Sequence, residues 1–147
     1  MGRLTGIAHR DTKRAPMETL EQAQVSDQTG VAQDSRGKPG DRTVTVISAR
    51  TWREVCAELG QEIPWTTRRA NLLVDEIDLP KSAGQIIEIG DVRLKVIVEV
   101  APCSRMDEQV EGLTNALKPD WRGGVACTVL QGGSISIGDA VTVVEAD

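Results

Sequence analysis

Val92-Arg-Leu-Lys-Val-Ile-Val-Glu-Val-Ala-Pro-Cys-Ser-Arg105 is the stretch on which the reading of this chain turns. Leu94, Val96, Val98 and Val100 share one face at a period of two, and Arg93, Lys95 and Glu99 share the other, with Ile97 the exception. That is the pattern of a long strand with one buried face. Pro102 has no N–H to give to a ladder, so regular pairing ends near it. Cys103 is then delivered at a rigid strand exit, with Arg105 two residues on to favour its thiolate. A chain presents sulfur to a metal or a substrate in this way.

Working outward, Gln85–Ile89 reads as the preceding strand, and Gly90-Asp91 is a two-residue hairpin signal. The Ile-x-Ile-Gly-Asp pattern of Ile87–Asp91 recurs at Ile135–Asp139, again ahead of alternating valines. Two such hairpins in one short chain predict a closed or nearly closed sheet. Further strands are expected at Arg3–His9, Leu20–Val25, Arg42–Ser48, Leu72–Val74 and Val125–Leu130, with Gly132-Gly133 turning the chain into a last hairpin over Ser134–Val144. Trp52, Val55, Cys56 and Leu59 mark a helix over Trp52–Leu59, with Thr51 and Glu54 at capping-box spacing and Gly60 after the last turn. A second helix is expected over Asp107–Leu117, weakened by Gly112 and ended by Pro119. Trp121-Arg122-Gly123-Gly124 reads as a turn where backbones pass closely. Seven to nine short strands and two short helices predict a mainly β fold. It is expected to be a closed or partly closed β-barrel with a few short helices, formed by one domain over residues 1–147.

Composition narrows the function. The 147 residues carry 17 basic and 22 acidic side chains, a net charge of −5. No long basic run offers a face for duplex nucleic acid, and with no Phe and no Tyr the stacking platforms of single-strand binders are missing. No apolar run approaches the roughly 18 residues of a membrane span, and Met1–Arg10 has no hydrophobic signal core. The expected setting is the cytoplasm, with no nucleic-acid and no membrane partner. Cys56, Cys103 and Cys127, odd in number and widely spaced, argue against a disulfide framework. One histidine, His9, and no Cys-x-x-Cys argue against structural zinc. Cys56 and Cys127 fall on apolar faces and read as core.

Three polar stretches stand out. His9–Arg14 is a solvated loop or an anion-binding edge. Asp27–Asp41 is too rich in glycine and aspartate for the core and reads as one long loop. Arg68 and Arg69, close to Asn71, are either a surface pair or an anion site.

The order and spacing of these segments resemble the MOSC domain, the module at the C-terminus of molybdenum-cofactor sulfurases, in its small stand-alone bacterial form. The resemblance runs from about Gly30 to Val143. It is carried by Arg69-Ala70-Asn71-Leu72-Leu73-Val74, by Ile87–Asp91, by Pro102-Cys103, by Gly112-Leu113, by Arg122-Gly123-Gly124-Val125 and by Gly132–Asp139. It implies a mostly β barrel that binds the molybdenum cofactor (molybdopterin). Cys103 would be the catalytic residue, as a ligand of the molybdenum or the carrier of a sulfur atom. A groove for the pterin phosphate would involve Arg68, Arg69 and Asn71, with Ser104 and Arg105 beside the cysteine. Gln33-Asp34 stands where the family often has Gly-Asp, which makes Asp34 a cofactor-binding candidate on a departed motif. Pyridoxal phosphate belongs to a separate domain of the sulfurases, and no site for it is expected here.

Three functions stay open on this reading. The protein handles or transfers sulfur or cofactor through a reactive cysteine, with a cysteine desulfurase or a molybdoenzyme as partner. Or it is a molybdenum-dependent reductase of N-hydroxylated compounds, which needs a separate reductase protein because the chain has no flavin, haem or iron–sulfur motif. Or it is a non-catalytic β-barrel binding module. Thiolate is a soft ligand suited to sulfur-rich metal centres, and the redox chemistry would be the cofactor's. Two expectations arise for the site. Arg68, Arg69 and Arg105 should surround one thiol, and replacing any of them should weaken ligand binding while barely changing folding.

Overall fold

The structure, a computed structural model, describes residues 2–10, 16–31, 43–77, 79, 82–100, 107–108 and 110–145. The strands are β1 (Gly2–His9), β2 (Glu18–Leu20), β3 (Gln22–Ser26), β4 (Gly30–Val31), β5 (Val44–Ser48), β6 (Leu72–Asp75), β7 (Ile86–Ile89), β8 (Val92–Glu99), β9 (Val125–Gln131), β10 (Gly133–Ser136) and β11 (Ala140–Val144). The helices include α1 (Ala49–Leu59) and α2 (Leu113–Leu117), Asp107 and Glu108 are also helical, and 3-10 turns lie at Trp65–Arg68 and Pro119–Trp121.

The expected hairpin anchors the fold. β7 and β8 pair antiparallel with Ile89 opposite Val92, across the Gly90-Asp91 turn. The sheet then runs β11-β7-β8-β9-β5-β6-β1-β2, and β11 also pairs with β1. That last pairing closes seven strands into a barrel and leaves β2 as an outer strand along β1. All neighbours are antiparallel except β5 and β6, which run parallel with α1 in their connection. Leu4, Ile7, Val46, Leu72, Ile87, Leu94, Val96, Val125 and Cys127 fill the interior.

β8 keeps its alternation only as far as Val96. A bulge lies between Val96, opposite Cys127, and Val98, opposite Ala126. Past it Val98 and Val100 are part-exposed, so the single buried face expected over Leu94–Val100 ends at Val96. A bulge adds one residue to one strand and re-aims the side chains beyond it.

The second Ile-x-Ile-Gly-Asp segment is not a hairpin of the barrel. β10 pairs with β3 in a separate sheet, order β10-β3-β4, while β11 joins β7 and β1. The chain therefore turns a corner at Ile137–Asp139, held by the Asp139 carboxylate, which accepts from the Ser136 N–H at 2.9 Å. Burial separates the two copies: Ile87 and Ile89 are both in the core, whereas Ile137 is 43% exposed. The small sheet lays Val25, Val31 and Ile135 on the barrel core. Gly133 of β10 lies beside Asp91 and Val92, near the β7–β8 turn.

Other boundaries moved for local reasons. The Leu20–Val25 segment divides into β2 and β3, which serve different sheets. Gly30-Val31, expected inside a loop, is strand β4, with Val31 fully buried. Helix α1 begins at Ala49 because Ser48, not Thr51, is its N-cap, its hydroxyl accepting from the Thr51 N–H at 3.4 Å. Gly60 ends α1 in the left-handed region as expected. The helix expected over Asp107–Leu117 is not continuous: Asp107 and Glu108 are helical, and Gly112 at φ 85° starts a new element, α2. The Asp107 carboxylate reaches forward to accept from the Thr114 N–H at 2.9 Å, satisfying a donor of its first turn. Trp52, Val55, Ile63, Leu113 and Leu117 form a second cluster that packs α1 and α2 on the outside of the barrel.

Candidate functional site

β8 runs from the β7–β8 turn to the opposite rim, and its exit is bonded on both sides. The Val100 N–H donates to the Gly124 carbonyl at 2.9 Å. The Val100 carbonyl accepts from Nη2 of Arg68 at 3.0 Å, and Arg68 Nε donates to the Gly123 carbonyl at 3.1 Å. Arg68 stands in the 3-10 turn ahead of β6, and two strands, β9 and β5, separate β6 from β8 in the sheet. One guanidinium thus fixes the end of β8 and the start of β9 against the turn before β6.

Gly123 and Gly124 make this approach possible. A Cβ on Gly123 would stand 2.4 Å from the Val100 carbonyl oxygen, and one on Gly124 would stand 2.3 Å from that of Val46. Gly124 also has φ 92°, in the region that favours glycine. Behind the turn Arg122 braces the outer helices: Nη1 lies 2.8 Å from a Glu58 carboxylate oxygen and donates to the Ala116 carbonyl at 3.1 Å.

Asn71 is buried and works inside the wall. Its Oδ1 accepts from the Thr45 N–H at 3.1 Å and from the Thr45 hydroxyl at 3.2 Å, and its Nδ2 donates to the Ala8 carbonyl at 3.2 Å. It joins β1, β5 and the start of β6. Arg69 closes the 3-10 turn in the left-handed region at φ 63° and is part-exposed. Cys127 is fully buried, and desolvation pushes its thiol pKa up to about 12. Cys56 is part-buried beside the Ile63 carbonyl, at 3.7 Å. Among the described residues no group of three His, Cys, Asp or Glu side chains stands ready to hold a metal.

The architecture and the sequence now meet. The MOSC domain family model matches residues 17–142. The chain belongs to the MOSC domain family. Among solved structures, the YuaD protein from Bacillus subtilis superposes with a TM-score of 0.83 at 19% identity, covering 100% of this chain and 98% of that one. YiiM from Geobacillus stearothermophilus superposes with a TM-score of 0.79 at 17% identity, over 99% of this chain and 76% of that one. YiiM from Escherichia coli gives 0.73 at 14%, over 99% and 71%. At these identities the likeness is one of fold. No curated protein matches this chain significantly in sequence.

In this MOSC domain the expected site residues divide into three groups. Arg68 and Arg69 stand on one turn at the rim, and Arg68 reaches the residue from which the chain continues toward Cys103. Its guanidinium holds main-chain carbonyls, so it differs from the expected exposed charge without a role in folding. Asn71 lies next to them in sequence but spends its amide on Thr45 and Ala8. Cys103, Ser104, Arg105 and Asp34 lie outside the described residues, as does most of the long loop expected over Asp27–Asp41. The Gly123-Gly124 contact with Val100 was not anticipated as part of the site. Its signal was the Trp-Arg-Gly-Gly run, which marks a tight approach but not the strand approached. No helix among the described residues is long and apolar enough to cross a membrane.

Proposed function

We propose that this MOSC protein binds the molybdenum cofactor beyond the exit of β8 and handles or transfers sulfur or cofactor through Cys103. The observation that supports it is the pinning of Val100 by Arg68 and Gly124, three residues before that cysteine. A strand end held on both backbone groups is a rigid base from which to present a thiolate, and rigid support of a reactive group is what site chemistry demands. The donor set fits the group: a soft thiolate from Cys103 for the metal and guanidinium charge from Arg69 and Arg105 for its phosphate. Ser104 and Asp34 complete the proposed contacts, with Asn71 acting behind them by fixing the start of β6. Arg68 serves as a positioning residue. When bound, the cofactor supplies the metal centre and its redox chemistry.

In the sulfur-carrying step, the Cys103 thiolate attacks the terminal sulfur of a persulfide on a cysteine desulfurase. The new S–S bond makes Cys103 the persulfide, and the donor leaves as its thiolate. The setting is the cytoplasm, where thiols stay reduced, and a molybdoenzyme is the acceptor. Metal and pterin analysis tests the reading, with protein made in a host that synthesises the cofactor. Native protein should retain molybdenum and pterin, and Cys103→Ser should lose the metal. Native protein free of both would refute it.

A further inference from the structure

Trp121 has a part at the rim that packing alone does not explain. The chain has three tryptophans, and two of them belong to the outer cluster. Trp52 is buried there with its indole N–H on the Ile63 carbonyl at 2.8 Å. Trp65 lies over Gly6, where a Cβ would come within 2.7 Å of its ring. Trp121 instead packs against the barrel core and stays part-exposed. Its backbone has φ 56°, a conformation that bulky side chains rarely adopt and that costs about 1–3 kcal/mol. Glycine or asparagine would hold that turn without the cost. The turn itself is the one that meets β8. The Trp121 carbonyl accepts from the Gly124 N–H at 2.9 Å, Gly124 accepts from Val100, and Gly123 accepts from Arg68.

We propose that Trp121 is the aromatic wall of a subsite for a planar heterocycle at this rim, here the pterin ring of the ligand. The inference rests on the proposed cofactor function and adds to it the residue that recognises the ring system. A part-exposed indole offers a π-face to a flat ligand. A stacking surface of this kind accepts any flat heterocycle, so selectivity comes from the charges around it. Arg68 holds the Gly123 carbonyl of this same turn, and Arg69, next to it and part-exposed, is the charge proposed for the ligand's anionic substituent. Trp121 is then a binding residue, and its strained backbone belongs to the turn that meets the end of β8.

The probe is neopterin monophosphate, titrated by calorimetry into the full chain and into Trp121→Phe and Trp121→Leu, each with a melting curve. Trp121→Phe should bind within about threefold of native, because the π-face is retained. Trp121→Leu should bind about tenfold more weakly, the lower end of what one stacked ring contributes. In parallel, Trp52→Phe/Trp65→Phe leaves Trp121 as the one fluorophore. Its quenching by acrylamide should fall when the pterin is present. Equal affinity in native and Trp121→Leu, or unchanged quenching with the pterin bound, would overturn the aromatic wall and leave the cofactor reading standing. No pterin binding by the native chain, together with no pterin retained on purification, would overturn both.

Discussion

Replacing Arg68 with Ala should destabilise the fold as well as the site. The substitution removes the donors of two main-chain carbonyls, Val100 at 3.0 Å and Gly123 at 3.1 Å. A hydrogen bond from a charged group contributes about 1.5–3 kcal/mol. The side chain is only part-buried, so water regains the freed carbonyls in part, and the pair together should come to roughly 2–3 kcal/mol. For a chain near this length each kcal/mol moves the melting midpoint by roughly 2–4 °C, so a fall of roughly 5–10 °C is expected. Arg68→Lys should recover only part of it, because an ammonium is a point donor and cannot span two carbonyls as the guanidinium fork does. Circular dichroism melts read the stability. Hydrogen exchange reads the site: the Val100 amide, bonded to Gly124, should exchange faster once its own carbonyl is released. A midpoint within about 1 °C of native with unchanged exchange at Val100 would refute the argument. It would return Arg68 to the role of a solvated charge.

Asn71→Ala should cost about 2–3 kcal/mol of stability, measured by denaturant midpoint, because it leaves the part-buried Thr45 N–H and the buried Ala8 carbonyl without this partner; a loss below about 0.5 kcal/mol would contradict that assignment. Cys127 holds its proton in the fold up to about pH 12, above the ordinary thiol value of 9.0, because burial disfavours the thiolate. Its stabilising effect is complete below the unfolded pKa and is lost as pH rises from about 9 toward 12. Stability should therefore decline over that window, and Cys127→Ala should flatten the decline; an identical slope in both proteins would refute it. In native protein near neutral pH, Cys103 should be alkylated before Cys56, and Cys127 should label only on unfolding, as mass spectrometry of the modified peptides will report.

Much of the barrel is local information. Alternation in Val92–Val96 and the Gly90-Asp91 turn are set by the two-residue period and by backbone conformation. So is the end of α1 at Gly60. The chain read alone therefore yields the strands, the hairpin and the outer helix, and the ordered motifs point to the MOSC family. Partner choice is not local. Ile135–Asp139 repeats the Ile-x-Ile-Gly-Asp pattern of Ile87–Asp91, yet its strands go to two different sheets. What differs is which strands are already paired on either side, and the shared Ile-x-Ile-Gly-Asp pattern does not carry that. Likewise, Arg68 and Arg69 are equivalent in sequence as a charged pair. Only the closing of seven strands brings Gly123 and Val100 within reach of the first, at sequence separations of 55 and 32 residues. Side-chain chemistry proposed a charged edge beside a cysteine-bearing strand end. Tertiary structure made one of those charges a fastening for the backbone, because two bare carbonyls at a close glycine contact need a donor and a guanidinium is long and forked enough to serve both.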